Sequence, residues 1–323
     1  MGGFALRFPP VRRAKGLATA AMAFLLAAGM SACSPLLNDD PTHTPPTLTK
    51  DETADPLNAV QPWSPASAAT RSVTAAGIER NYIMSLPPGA RERSRLPVIF
   101  VFHGYNESAE TIREYSGMDS ADAIVVYMEG IDKAWAPAPY AVTTGEQDLA
   151  YVDAVYDQLI SEFAVDRSRV FAAGLSNGGG FAAYVGCQRP QAFTAVATVA
   201  GAFYEKVSAG CSAIPMKHVD FHGTSDAVIH YAGGERHSTV YGSSAELMED
   251  AARRSRCDAE PIISAVSPTI VEHRWTGCDA AVMHYRIEGG PHVWPGSVKD
   301  TSATVSIGFA TRQIMHFFGV SLR

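Results

Sequence analysis

The chain has 323 residues, 46% of them apolar, enough to bury one large core or two small ones. Its 26 basic and 33 acidic side chains give a net charge of −7. Nothing in that balance would neutralise a run of phosphates, which argues against nucleic acid as a partner.

Residues 1–32 read as an export signal. Arg7, Arg12, Arg13 and Lys15 make a positive leader, and the apolar run from Leu17 to Met30 is too short to span a bilayer comfortably. The small residues of "AAGMSACS" lead to Cys33 and resemble the lipobox of bacterial lipoproteins, with Met30 where leucine is usual. On that reading Cys33 is lipidated and is the only link to a membrane; a plainly secreted product is the alternative. Losing the leader removes four basic and no acidic residues, which takes the net charge to −11. Residues 33–71 hold seven of the 20 prolines among Thr, Ser and Ala and read as a flexible stalk.

A folded domain is expected over 72–323. "RNYIMSLP" from Arg80 reads as its first strand. "LPVIFVFHG" (Leu96–Gly104) and "AIVVYMEG" (Ala123–Gly130) are unbroken apolar runs, the pattern of strands buried on both faces of a parallel sheet. Val152, Val155, Leu159 and Phe163 recur at helical spacing over Asp148–Phe163. Further strands are predicted at Val170–Ala173, Ala195–Val199, His218–Phe221 and Met283–Ile287, and a last amphipathic helix over Ser302–Phe318. Alternating strands and helices predict an α/β domain with a mostly parallel central sheet.

With Cys33 assigned to the lipid, Cys187, Cys211, Cys257 and Cys278 remain. An even number in an exported chain reads as two disulfides, and sequence proximity favours Cys187–Cys211 and Cys257–Cys278 among three connectivities. No C-x-x-C occurs, and His218 and His222 straddle a strand end and not a helix face, so neither a metal site nor a cofactor is expected.

The stretch "RVFAAGLSNGGGFAAY" (Arg169–Tyr184) places Ser176 in Gly-x-Ser-x-Gly between a strand and a helix beginning about Phe181. A turn that tight strains the serine backbone and leaves no room for side chains at Gly174 and Gly178. It lifts the hydroxyl to the carboxyl ends of the strands, where the Asn177 N–H can meet an oxyanion. A serine needs a base, and the base an orienting acid. In the chain order Ser, Asp, His of α/β-hydrolases, Asp226 of "VDFHGTSDAVIHY" and His292 of "YRIEGGPHVWPG" fall in loops past strands. Asp220 would sit within its strand. His103, His218 and His222 precede Asp226, His230 and His237 follow it too closely, and His273, His284 and His316 lie in a disulfide loop, a strand and a helix. His103-Gly104 stands where esterases keep a second oxyanion loop, which makes the Tyr105 N–H the second donor.

"FHGYNESA", "GLSNGGGFAA", "VAGAFYE", "FHGTSDAVIHYAGG" and "HYRIEGGPHVWPG" together resemble the secreted feruloyl esterases and polyhydroxybutyrate depolymerase-like esterases of carbohydrate esterase family 1, over about Arg80–Phe318. The resemblance implies the α/β-hydrolase fold, with Ser176 as nucleophile, His292 as base and Asp226 as acid, and it supports the two cysteine pairings. His230 stands where many relatives have proline. Substrates of the family are feruloyl esters of plant polysaccharide, polyester chains or oligomers, and acetylated xylan, and two segments look closest to the feruloyl branch. About 50 residues separate Ser176 from Asp226, too few for a large cap, which suits a polymeric or oligomeric ester. The segment 232–282 would wall one side of the pocket, and Trp135 and Trp294 are candidates for contact with an aromatic acyl group or a sugar. A serine peptidase and a non-catalytic carbohydrate-binding lipoprotein are the alternatives from other classes.

Overall fold

The computed structural model describes residues 67–323. The leader, Cys33 and the stalk up to residue 66 lie outside the described residues. The chain enters the fold earlier than its composition suggests. Strand β1 (Ser67–Ala75) pairs antiparallel with β2 (Ile78–Leu86), so 67–71 belong to the sheet and not to a stalk ending at Arg71. Arg71 itself forms an ion pair with Glu162 at 2.6 Å.

The next elements are β3 (Leu96–Phe102), α1 (Ala109–Ser116), β4 (Ile124–Met128), α2 (Gly145–Glu162), β5 (Val165–Leu175), α3 (Asn177–Gln188) and β6 (Ala195–Val199). After the short α4 (Glu205–Ser208) come β7 (Lys217–Gly223), the hairpin β8 (Gly234–Arg236) and β9 (Thr239–Tyr241), and α5 (Ser244–Arg254). Strands β10 (Ile262–Ser267), β11 (Ile270–Arg274) and β12 (Val282–Ile287) and helix α6 (Phe309–Phe318) complete the domain. Ten strands form one sheet in the order β1-β2-β4-β3-β5-β6-β7-β12-β11-β10. Pairing is parallel from β4 through β12 and antiparallel at both margins. β3 and β4 are buried along their whole length, as their unbroken apolar runs require.

Helices cover both faces. α1 and α6 pack on one, with Ile99, Val101, Phe171, Val219 and Phe221 beneath them. α2 and α3 pack on the other over Val98, Phe100, Val126 and Val196. α5 covers that same face at β12, with Met248 and Ala251 against Val282. Among the described residues no inserted domain covers the carboxyl ends of the strands, and the fold is the α/β-hydrolase sandwich.

Several boundaries differ from expectation: β5 begins at Val165 and not Val170, and α3 at Asn177 and not about Phe181. α6 begins at Phe309 and not Ser302, because Gly308 takes the left-handed region (φ 72°) and the Asp300 carboxylate accepts from the Gly296 and Ser302 N–H groups, fixing a turn. His218 and His222 lie together inside β7 rather than across its end. Both cysteine pairs are closed: Cys187–Cys211 ties the end of α3 to the loop after α4, and Cys257–Cys278 joins the segments flanking β10 and β11. Two such bridges mark an oxidising, exported setting. Among the described residues no helix is long and apolar enough to cross a membrane.

Candidate active site

β5 runs through the middle of the sheet and ends at Leu175; α3 starts at Asn177. Ser176 alone makes the turn, at φ 56° and ψ −118°, a backbone region costing on the order of 1–3 kcal/mol for a non-glycine residue. The neighbours explain how it is held. The Ser176 N–H donates to Val199 O (2.9 Å), and its carbonyl accepts from Gly180 and Ala202. A Cβ on Gly174 would stand 2.2 Å from Gly178 O, and one on Gly178 would stand 2.2 Å from Phe102 O. Only glycine fits at either position.

The second strand end is β3. His103 is buried and kept neutral by that burial; its Nδ1–H donates to Gly104 O, and its Nε2 accepts from the Gly130 N–H (3.0 Å). The Gly104 N–H is taken by Glu107 Oε2 (3.0 Å), which also accepts from the Tyr115 hydroxyl (2.7 Å). A Cβ on Gly104 would stand 3.5 Å from Ser176 Cβ, so this loop lies directly against the serine. Among the described residues, neither the Tyr105 nor the Asn177 N–H donates to another protein group. The Asn177 side chain is fixed by two bonds with Trp135, accepting from its N–H and donating to its carbonyl (2.8 and 3.0 Å).

Asp226 and His292 come together from loops after β7 and β12. These parallel neighbours put Gly223 opposite Ile287. A Cβ on Gly223 would stand 2.0 Å from Gly290 O, and the Ser225 N–H donates to that same carbonyl. The close approach brings His292 Nδ1 to 2.7 Å from Asp226 Oδ2. Asp226 Oδ1 accepts from the Val228 and Ile229 N–H groups, each at 2.8 Å. Burial would raise the Asp226 pKa, but hydrogen bonds from His222 and His292 outweigh it and hold the carboxyl well below its usual range. An ionised Asp226 accepting from Nδ1–H leaves Nε2 of His292 as the free acceptor. Among the described residues no hydrogen bond joins Ser176 to His292, whose ring is bonded to Asp226; such bonds are often long or unformed until substrate binds.

The two tryptophans are not where substrate contact would need them. Trp135 is 0% exposed, its Nε1–H donates to His103 O (3.1 Å), and its ring stacks on Phe181. Trp294 is 1% exposed and donates to Thr311 Oγ1. Both indoles are core, with their N–H groups satisfied inside. The aromatic cluster on the loop after Gly104 is instead Tyr105, Tyr140 and His237. Tyr105 and Tyr140 ring centroids lie 4.2 Å apart, and His237 packs 4.5 Å from Tyr140 and 5.7 Å from Tyr105. His237 sits at the tip of the β8–β9 hairpin, where it and Ser238 both take positive φ (53° and 56°), the geometry of a two-residue hairpin turn. Thus the hairpin tip packs on Tyr105 and Tyr140, whereas β10 and β11, further along the same 232–282 segment, form the far margin of the sheet. A separate cavity of about 420 Å³ lies against α4 and α5 and is lined by none of Ser176, Asp226 or His292.

Sequence reading missed Tyr140, His237 and Glu107. Only the Tyr-Asn-Glu spacing after His103-Gly104 points to Glu107; nothing local marks the other two, which reach Tyr105 through the fold.

Comparison with known proteins finds esterases. Residues 80–236 match the family model for esterase PHB depolymerase, a stretch that contains Ser176 and Asp226 and ends before His292. NocK of Nocardia uniformis subsp. tsuyamanensis, an esterase by name, is 27% identical over 94% of this chain and 95% of its own length. Feruloyl esterase C of Emericella nidulans is 28% identical over 48% of this chain, which spans 58% of that enzyme. The chain is a carboxylic ester hydrolase. It is similar to polyhydroxybutyrate depolymerases and feruloyl esterases. Its fold is that of the acetyl xylan esterase from Aspergillus awamori, with a TM-score of 0.55 at 14% identity over 78% of this chain and 99% of the other.

Proposed function

We propose that this hydrolase is a serine esterase acting through Ser176, His292 and Asp226, with feruloyl esters of plant cell-wall polysaccharide as substrate. The observation that carries the proposal is the 2.7 Å contact between His292 Nδ1 and Asp226 Oδ2, made across the mouth of the sheet where the strained Ser176 turn opens. His292 Nε2 takes the Ser176 proton as the hydroxyl attacks the ester carbonyl. The Tyr105 and Asn177 N–H groups, which have no acceptor among the described residues, receive the oxyanion. The alcohol leaves with the proton from His292, and water then hydrolyses the acyl-enzyme by the same route.

The feruloyl assignment draws on the likeness to feruloyl esterase C and on the Tyr105–Tyr140–His237 faces, which suit a flat aromatic acyl group. An uncapped mouth suits a polymeric or oligomeric ester. The proposal extends to the chain's start: residues 1–32 are a signal, Cys33 carries the lipid anchor, and the stalk holds the enzyme off the membrane.

The test compares hydrolysis of methyl ferulate, p-nitrophenyl acetate, a hydroxybutyrate oligomer and acetylated xylan by wild type and Ser176→Ala. Preference for methyl ferulate that vanishes in the variant is the expected result. Preference for the oligomer or for acetyl groups overturns the substrate and keeps the mechanism, while undiminished activity in Ser176→Ala overturns the mechanism.

A further inference from the structure

Asp226 Oδ2 has a second imidazole beside it. His222, 1% exposed near the end of β7, places Nε2 at 3.3 Å from Asp226 Oδ2 and 2.8 Å from Ile229 O. Its Nδ1 lies 2.6 Å from the hydroxyl of Ser244, a fully buried residue at the start of α5. A carbonyl can only accept, so Nε2 carries the hydrogen, and in the neutral ring Nδ1 accepts from Ser244. Both ring nitrogens are thereby used, Nδ1 on α5 and Nε2 on the loop that carries Asp226. Ile229, whose carbonyl takes the Nε2–H, also gives its N–H to Asp226 Oδ1.

We infer that His222 is a positioning residue. Its Nε2–H, with the backbone N–H groups of Val228 and Ile229, clamps the Asp226 carboxylate so that Oδ2 faces His292, and Ser244 sets the ring tautomer that allows this. This rests on the proposed roles of Asp226 and His292. By donating to Asp226, His222 also makes that carboxylate less basic and so limits how strongly it favours the His292 imidazolium. The other groups facing His222 are Asp220 on its own strand, Tyr231 edge-on at 5.8 Å, and Arg286, its register partner on β12, which is paired with Glu288. Asp220 is itself occupied by His284 and Thr198, and Tyr231 by His284. Asp226 is therefore the one carboxylate that shares the Nε2–H of His222.

The experiment measures kcat, KM and the pH profile of kcat/KM on p-nitrophenyl acetate for the full chain carrying His222→Phe, Asp226→Asn, or both. His222→Phe should lower kcat roughly 10- to 100-fold with KM unchanged, and its acid limb should move to higher pH. In the Asp226→Asn background it should cost nothing further. His222→Gln, which keeps an N–H donor, should recover part of kcat. A folded His222→Phe with wild-type kcat, or an equal loss in both backgrounds, overturns the inference alone. Wild-type activity in Asp226→Asn overturns the triad reading and this inference with it. If His222→Phe does not fold, Ser244→Ala carries the test: a fall in kcat at constant KM supports the clamp, and no change overturns it.

Discussion

At Ser176 a backbone cost is accepted because five neighbouring residues leave it no alternative. Its N–H and carbonyl are bonded to β6 and α3, and Gly174 and Gly178 let strand and helix close to van der Waals contact. Gly178→Ala tests that account. The new Cβ would meet Phe102 O at 2.2 Å and His103 O at 2.5 Å, so β3 and α3 must separate. We expect a loss of about 1–3 kcal/mol in urea unfolding, and roughly a 100-fold drop in kcat as the Asn177 N–H moves away from the oxyanion position. Unaltered kinetics would mean that the turn tolerates relaxation. The same scale explains the misplaced tryptophans. Trp135 lies in a loop and Trp294 two residues from His292, and sequence nearness to a site says nothing about which way a ring points. Both indole N–H groups find internal acceptors, which is what keeps such large rings buried.

Among the elements, β2, α2 and the loop before α2 are locked by one buried ion pair. Arg80 and Asp148 meet at 2.9 Å with side chains 1% and 0% exposed. The other Asp148 oxygen accepts from the Ala136 N–H and the Thr143 hydroxyl, and the Arg80 guanidinium lies 4.2 Å from the Tyr151 ring. Asp148→Ala would strand the guanidinium in the core and leave two donors unpaired. Thermal and urea unfolding should show a loss of about 3–5 kcal/mol; a loss under 1 kcal/mol would mean that water replaces the carboxylate. The elements that escaped sequence reading are those without burial on both faces. β1 follows a proline-rich run, and β10 exposes Ile262, Ile263 and Val266 at the sheet margin. The β8–β9 hairpin turns at His237-Ser238, without the Asn-Gly or Gly that would announce it. β7 was legible as a strand, yet its alternation was not read: Val219 and Phe221 face α1 and α6, while His218, Asp220 and His222 line the opposite face.

On the scale of the whole molecule, those buried imidazoles couple stability to pH. Burial pushes His218 from 6.5 down to about 4, and His103 and His273 are lowered by burial as well. A depressed histidine pKa means that the unfolded chain binds the proton first. The stability is complete above pH 6.5 and is lost as pH falls towards 4, on the order of 3 kcal/mol for His218 alone. His222 has a raised pKa, because Asp226 and Asp220 offset its burial, and acts in the opposite sense: its contribution is complete below 6.5 and lost as pH rises through the folded value. Asp226, held below 3.8, matters only in stronger acid. Urea unfolding at pH 7 and pH 4.5 should show a marked fall, and His218→Gln should make it shallower. Equal slopes in the two proteins would locate the dependence elsewhere.

The unbroken apolar runs, the glycines about Ser176 and the order Ser176, Asp226, His292 were all local signals, and they sufficed for the α/β class, the parallel sheet and the candidate triad. Such features are legible because they record what a residue needs from its immediate neighbours: two buried faces, a close approach, a sharp turn. The packing of Tyr105, Tyr140 and His237 on one another, the burial of both tryptophans and the second imidazole on Asp226 were decided only when distant segments met. Sequence order placed His222 ahead of Asp226 and so set it aside as a base. The three-dimensional fold brings the same ring to the carboxylate's edge, because the chain turns just after β7, with the Asp226 N–H donating to Gly223 O, and α5 closes over the ring.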